Sequence, residues 1–117
     1  MPKPEKFKVL IVDDEPDILE AIEFMLSDQK NLMVLTAVTA EHAIKLLPFV
    51  DGVIADCVLP HSSELDSVFK KCGKPVIRMS GKIFRATNLA MPKPFTPDQL
   101  KESIEMLKFF SPVSKIA

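Results

Sequence analysis

The 117-residue sequence has no tryptophan or tyrosine, few glycines and only two cysteines. Cys57 and Cys72 form neither a CxxC pair nor a dense disulfide framework, which favours reduced thiols over a disulfide between them. No apolar run approaches the roughly 20 residues that span a bilayer, and the opening segment MPKPEKFK lacks the apolar core of a signal peptide. The formal net charge of -1 gives no electrostatic reason to bind nucleic acid or an anionic membrane. We therefore expect a cytoplasmic protein that binds neither.

The length and composition fit one globular domain. Hydrophobic residues make up 47% of the chain and charged residues 26%, which is too apolar for a disordered segment. We predict a short N-terminal tail at residues 1–6, one domain at residues 7–111, and a C-terminal tail or the start of a linker at residues 112–117.

Short apolar segments alternate with segments of helical periodicity. The predicted strands are residues 7–12, 32–36, 52–55, 75–79 and 88–91. The predicted helices begin at Pro16, after the capping residue Thr39, at Ser62, and after the capping box Thr96-Pro97-Asp98-Gln99, whose helix carries Leu100, Ile104, Leu107 and Phe110 inward. The first strand, FKVLIV, is apolar almost without a break, which is typical of a strand covered on both faces. Alternating strands and helices predict an α/β fold with a parallel sheet.

Polar residues stand where the predicted strands end. Asp13 and Asp14 follow the first strand, Asp56 the third and Ser80 the fourth, and Lys93 lies just past the fifth. Ligands of open parallel sheets bind beyond the carboxyl ends of the strands, so these residues are expected on one edge. Taken singly, acidic residues in such places often only cap the next helix or form a turn. Their convergence favours a functional site.

Three converging carboxylates predict a cation, because like charges at close range disfavour joint ionisation. An all-oxygen cluster with few protein ligands suits Mg²⁺, and a metal beside a carboxylate suggests phosphoryl chemistry. Asp56, alone at the end of a buried strand, is the expected nucleophile for an acyl phosphate. Ser80 can donate a hydrogen bond to one phosphoryl oxygen, and Lys93 can place a positive charge near another.

Four segments, KVLIVDDEPDI, VIADCVLP, PVIRMSG and MPKPF, resemble in order the motifs of the response-regulator receiver domain of the CheY-like superfamily. The resemblance implies a flavodoxin-like, doubly wound sheet of five parallel strands in the order 2-1-3-4-5. It also implies that Asp56 takes a phosphoryl group from a histidine kinase, a histidine phosphotransfer protein or a small phosphodonor. Such a domain is not an enzyme beyond self-catalysed phosphotransfer and autodephosphorylation.

The same resemblance assigns roles to individual residues. Asp13, Asp14, Asp56 and the backbone carbonyl of Val58 would hold Mg²⁺. Lys93 would pair with the phosphoryl group, with a cis bond to Pro94, and Ser80 would close over it.

Two features depart from the family. Only residues 81–87 separate the predicted fourth and fifth strands, whereas a parallel crossover with a helix needs about ten to twelve residues. We therefore predict that the family's helix between those strands is missing or reduced to about one turn. Ala90 also stands where the family commonly has a Tyr or Phe three residues before the lysine, and Phe84 is the residue that could substitute spatially. Both features predict an atypical output face.

These departures keep a second function open. A pseudo-receiver would use the same fold as a phosphorylation-independent module for protein binding or dimerisation, and the short crossover favours it. The complete set of acidic, serine and lysine residues favours the phosphoacceptor, with a homodimer or a downstream protein as a further candidate partner. An aspartate-dependent phosphohydrolase would need an acid at Val58, and a flavodoxin would not place DDEPD where phosphate binds.

Overall fold

Strands and helices alternate along the chain in a computed structural model that describes residues 6–56, 62–80, 90–92 and 96–110. The strands are β1 (Phe7–Val12), β2 (Leu32–Ala37), β3 (Gly52–Asp56), β4 (Val76–Ser80) and β5 (Ala90–Pro92). The helices are α1 (Pro16–Met25), α2 (Ala40–Leu46), α3 (Ser62–Cys72) and α4 (Pro97–Phe110), with a 3₁₀ turn at Leu47–Phe49. No helix among these described residues is long and apolar enough to cross a membrane.

The five strands form one parallel sheet in the order β2-β1-β3-β4-β5. This confirms the predicted fold class and strand order. Val12 at the end of β1 stands opposite Ala37 of β2 and Ala55 of β3, and Asp56 stands opposite Met79 of β4. The carboxyl ends of the strands therefore meet at one edge of the sheet, where the candidate site was expected.

The sheet is buried on both faces, as the unbroken apolarity of β1 predicted. Val9, Leu10, Ile11 and Val12 are all fully buried, and their side chains alternate between two cores. The core on one face packs α1 and α4 against the strands, and its members include Val9, Ile11, Ile22, Ile54, Ile77, Met79, Leu100, Ile104 and Leu107. The core on the other face packs α2 and α3, and its members include Leu10, Val12, Ala43, Val53, Ala55, Leu65 and Phe69.

Local signals in the sequence fix where the helices begin. The hydroxyl of Thr39 accepts a hydrogen bond from the His42 N–H (3.1 Å) and caps α2. At α4, the Gln99 N–H donates to the Thr96 hydroxyl (3.1 Å), and the Thr96 N–H donates to the Gln99 side-chain oxygen (2.8 Å). This reciprocal pair is the predicted capping box, and it satisfies two N–H groups that the helix leaves unpaired. Gly73 follows α3 with φ +72°, a conformation that glycine adopts without strain.

Some boundaries differ from the prediction. β5 extends to Pro92 rather than ending at Met91, and an edge strand tolerates proline because the missing N–H can face away from the neighbouring strand. The predicted start at Asn88 lies outside the described residues. Phe110 was expected inward but is 46% exposed, because the core on that face ends at Leu107.

Three further predictions fall on parts of the chain that lie outside the described residues. These are the reduced helix in the crossover at residues 81–87, the cis bond between Lys93 and Pro94, and the tails at residues 1–6 and 112–117, of which only Lys6 is described.

Candidate functional site

Asp13 and Asp14 follow β1 directly, but they differ in exposure. The Asp13 N–H donates to the Ala37 carbonyl (3.1 Å), which continues the hydrogen bonding between β1 and β2 by one residue. The Asp13 carboxylate accepts a hydrogen bond from the Glu15 N–H (2.9 Å), just before α1 begins. Asp13 is therefore fixed and fully buried, whereas Asp14 is exposed. One carboxylate is held by the protein and its neighbour faces solvent.

Asp56 is the last residue of β3, the central strand of the sheet. Ala55 stands opposite Val12 in the sheet, so the next residues on the two strands, Asp56 and Asp13, are neighbours. Only 8% of Asp56 is exposed. A carboxylate in this position is shielded from bulk water yet stands at the edge where a ligand can approach.

The three acidic residues form one cluster. One carboxylate oxygen from each of Asp13, Asp14 and Asp56 lies within 4.8 Å of the other two. Ionised carboxylates at this range repel one another, and burial of two of the three reduces the screening by water. The arrangement is the one that a divalent cation stabilises.

The donor set fits Mg²⁺. Carboxylate oxygens are hard ligands, and an octahedral Mg²⁺ with bonds of about 2.1 Å holds its oxygens about 3 to 4 Å apart. The spacing of the cluster is close to that range. The exposed Asp14 also leaves one side open for the waters that Mg²⁺ retains.

The other predicted site residues are described in part or not at all. The backbone of Ser80 ends β4, in register with Pro92 of β5, and Pro92 precedes Lys93 in the sequence. The ends of both strands thus lie on the same edge of the sheet as Asp56. Lys93 itself and Val58 lie outside the described residues, so their roles stay predictions.

The fold is shared with solved receiver domains. A CheY-like receiver domain protein from Methanospirillum hungatei superposes with a TM-score of 0.76 at 24% identity, covering 91% of this chain and 97% of that one. The signal receiver domain of a LuxO repressor-type protein from Vibrio parahaemolyticus gives 0.77 at 19% identity, with 90% and 92% covered. The receiver domain of the hybrid histidine kinase CckA gives 0.70 at 23% identity, with 86% and 97% covered.

A relative is also found by sequence. The regulatory protein VanR of Enterococcus faecium is 31% identical over 126 aligned positions, which cover 92% of this chain. The chain spans 54% of the length of that relative. No family model matches the sequence. The sequence likeness and the shared fold agree with the motif resemblance. The chain is a response-regulator receiver domain of the CheY-like superfamily.

This receiver domain contains a charged residue next to the site that the sequence patterns did not single out. Arg78 lies in β4, and its side chain is only 16% exposed. One guanidinium nitrogen donates to the backbone carbonyl of Asp56 (3.4 Å), and another pairs with the carboxylate of Asp66 on α3. The sequence feature that could have revealed Arg78 is its position within the buried segment VIRMS, because a buried arginine needs hydrogen-bond or ion-pair partners.

Proposed function

We propose that this receiver domain accepts a phosphoryl group on Asp56 from a histidine kinase or a histidine phosphotransfer protein, with Mg²⁺ bound at the acidic cluster. The observation that carries the proposal is the convergence of Asp13, Asp14 and Asp56 within 4.8 Å at the carboxyl edge of the sheet. A cluster that only capped α1 would not need an acid from β3.

In the proposed transfer, a carboxylate oxygen of Asp56 attacks the phosphorus atom of a phosphohistidine. The new P–O bond gives an acyl phosphate, and the electron pair of the broken P–N bond stays with the imidazole nitrogen, which takes up a proton. Phosphoryl transfer needs positioning and charge neutralisation more than covalent help, and bound Mg²⁺ would supply part of that neutralisation. The fixed position of Asp13 and the nearly buried Asp56 provide the positioning.

The remaining roles follow the family pattern and belong to the proposal. The Ser80 hydroxyl donates a hydrogen bond to one phosphoryl oxygen, and the Lys93 ammonium group pairs with another. The backbone carbonyl of Val58 completes the protein ligands of Mg²⁺. The domain is then a phosphoryl acceptor and not an enzyme, apart from self-catalysed transfer and the hydrolysis of its own acyl phosphate. A cytoplasmic location, where a free thiol such as Cys72 stays reduced, is part of the same proposal.

The alternative is a pseudo-receiver that binds a partner or a second copy without phosphorylation. The short predicted crossover and Ala90 favour it, since both would alter the face that relays the signal in the family. The retained cluster distinguishes the two functions, because the phosphoacceptor needs Asp13, Asp14 and Asp56 close together and a module that only binds a partner does not.

The decisive experiment is phosphorylation by a small phosphodonor in the presence of Mg²⁺, followed by intact-protein mass spectrometry. We expect one added phosphate on the wild type and none on Asp56→Asn. Asp51→Asn is the matched control: Asp51 also adjoins β3 but at its amino end, where it accepts a hydrogen bond from the Lys8 N–H (2.9 Å), which an asparagine oxygen can also accept.

The outcomes separate the two functions. Phosphate on the wild type and on Asp51→Asn, but not on Asp56→Asn, supports the phosphoacceptor. No phosphate on the wild type, together with no Mg²⁺-dependent response to beryllium fluoride, would leave the pseudo-receiver as the function.

A further inference from the structure

Arg78 is a cation placed inside the sheet, and its side chain lies on the face covered by α3. Along β4, Ile77 and Met79 belong to the core packed against α1 and α4, while Val76 packs on the opposite core. Alternation along the strand puts Arg78 on the same side as Val76. The guanidinium lies 5.1 Å from the centroid of the Phe69 ring on α3, which agrees with that placement.

The guanidinium reaches two different elements. It donates to the backbone carbonyl of Asp56, the last residue of β3, at 3.4 Å. It also pairs with the carboxylate of Asp66, which lies one turn before Phe69 on the same face of α3. Arg78 therefore contacts both β3 and α3, the two elements that residues 57–61 connect.

We infer that Arg78 is a positioning residue, which ties the end of β3 to α3 and thereby holds the carboxylate of Asp56 in place within the acidic cluster. The effects on phosphoryl transfer and on Mg²⁺ binding rest on the function proposed above; the effect on the backbone between β3 and α3 does not. Among the described residues, Arg78 acts through the backbone of Asp56 and the side chain of Asp66.

Arginine suits this role for a geometric reason. Its planar guanidinium donates in several fixed directions at once, so one side chain can hold a carbonyl and a carboxylate on separate elements. Lysine carries the same charge on a single nitrogen without a rigid fork. A side chain that served only to fill space next to Phe69 would be replaceable by methionine, which has a similar length and packs well on aromatic rings.

The two partners of the ion pair are unequally exposed, and this makes the contribution of each testable. Asp66 is 45% exposed and can be hydrated if Arg78 is removed, whereas Arg78 is 16% exposed and would stay largely shielded from water if Asp66 were neutralised. Arg78→Met therefore removes the link between β3 and α3 while leaving the surviving carboxylate in water. Asp66→Asn removes only the ion pair with α3 and keeps the hydrogen bond from Arg78 to the Asp56 carbonyl.

The test compares Arg78→Met, Arg78→Lys and Asp66→Asn with the wild type. Lys101→Met is the matched control, since it removes an ion pair, Lys101 with Asp28 at 3.1 Å, that lies away from the acidic cluster. The readouts are amide hydrogen exchange of residues 57–61, Mg²⁺ affinity by calorimetry, and the rate of phosphorylation by a small phosphodonor at saturating and limiting Mg²⁺.

We expect Arg78→Met to speed exchange in residues 57–61 and to weaken Mg²⁺ binding by about tenfold, the lower end of the effect of losing a group that orients metal ligands. Arg78→Lys should rescue part of both effects, Asp66→Asn should show a smaller change of the same kind, and Lys101→Met should show neither. Saturating Mg²⁺ should restore most of the phosphorylation rate of Arg78→Met.

Wild-type exchange and wild-type Mg²⁺ affinity in a folded Arg78→Met would overturn the inference. If Arg78→Met does not fold, amide exchange and Mg²⁺ affinity are compared in Asp66→Asn and Arg78→Lys. Wild-type values of both quantities in both variants would then overturn the inference. If the wild type takes no phosphate but the variants still alter exchange, the proposed function fails and the positioning role stands.

Discussion

Asp13 and Asp56 lie side by side at the carboxyl ends of neighbouring strands, and both are almost completely shielded from water. Two acids in that relationship destabilise the folded chain unless their charges are offset. Repulsion between the two carboxylates therefore links the stability of the domain to cation binding, and the next two predictions rest on it.

Asp13→Asn is expected to raise the free energy of unfolding in metal-free buffer by about 1–3 kcal/mol, since like charges about 5 Å apart repel by about 3 kcal/mol at an effective dielectric constant of about 20. The asparagine oxygen can still accept from the Glu15 N–H. Urea denaturation followed by circular dichroism measures the change. Asp14→Asn, at an exposed position, should give a smaller increase, and an equal or larger increase would contradict the assignment of the repulsion to the buried pair.

Mg²⁺ is expected to raise the melting temperature of the wild type, because a ligand that binds only the folded state stabilises it in proportion to the logarithm of its concentration above Kd. Chelation should reverse the effect, and NaCl at matched ionic strength should not reproduce it. Asp13→Asn and Asp56→Asn should each lose most of the Mg²⁺-dependent increase. An increase that survives both substitutions would place the ion elsewhere.

The ion pair between Asp28, just after α1, and Lys101 of α4 predicts a dependence of stability on pH. The hydrogen bond from Lys101 lowers the pKa of Asp28 below its ordinary value, with a smaller contribution from the Gln29 side chain. Because the pKa is lower in the folded state, the stabilisation is present above the ordinary pKa of an aspartate, about 3.9, and is lost as the pH falls through the folded value.

Thermal unfolding of the wild type and Lys101→Met across a pH series checks this. The wild type should be the more stable of the two near neutral pH, and the difference should shrink below about pH 4. A difference that stayed constant into acid would show that Lys101 acts through packing of its aliphatic stem and not through Asp28.

The capping box at α4 predicts a purely structural effect. Thr96→Ala should lower the free energy of unfolding by about 1 kcal/mol, since it removes the hydroxyl that accepts from the Gln99 N–H. Thr96→Ser retains the hydroxyl and should be close to the wild type. Since α4 contributes Leu100, Ile104 and Leu107 to one core, the loss should appear as a shift of the whole unfolding transition, measured by urea titration.

Ala90 predicts how an activation mimic alters the domain. Without an aromatic residue at this position of β5, binding of beryllium fluoride and Mg²⁺ should change backbone amide shifts most around Asp13, Asp56 and α3 and least along α4. Comparison of amide spectra with and without the mimic measures this. A full response along β5 and α4 would show that the signal reaches the usual output face without the aromatic residue.

Much of the fold could be predicted because the deciding signals are local. The unbroken apolarity of β1 requires cover on both faces, and Thr39, Thr96 and Gln99 make their capping hydrogen bonds with residues three positions away. The site was predictable for a related reason, since strand order and parallel direction alone bring Asp13 and Asp56 to one edge.

What escaped prediction depends on contacts between distant segments. The sequence pair Asp13-Asp14 does not say which acid is buried; that follows from the hydrogen bond of Asp13 to Ala37 on β2. Arg78 stands inside a familiar motif, and its importance depends on Asp66 and Phe69, which α3 brings to the same face of the sheet. Phe110 continues the helical stripe of α4 but lies past the last core residue on that face, Leu107.

The parallel sheet has a consequence for when the domain can act. Each strand that ends at the acidic cluster is joined to the next by a long crossover, so no short stretch of the chain contains the site. A nascent chain that has emerged only as far as β2, or a proteolytic fragment lacking β3, has acids but no place to bind a cation between them. If Asp56 receives a phosphoryl group as proposed, that capacity requires β1 and β3 to be folded together, and a copy without β3 lacks it.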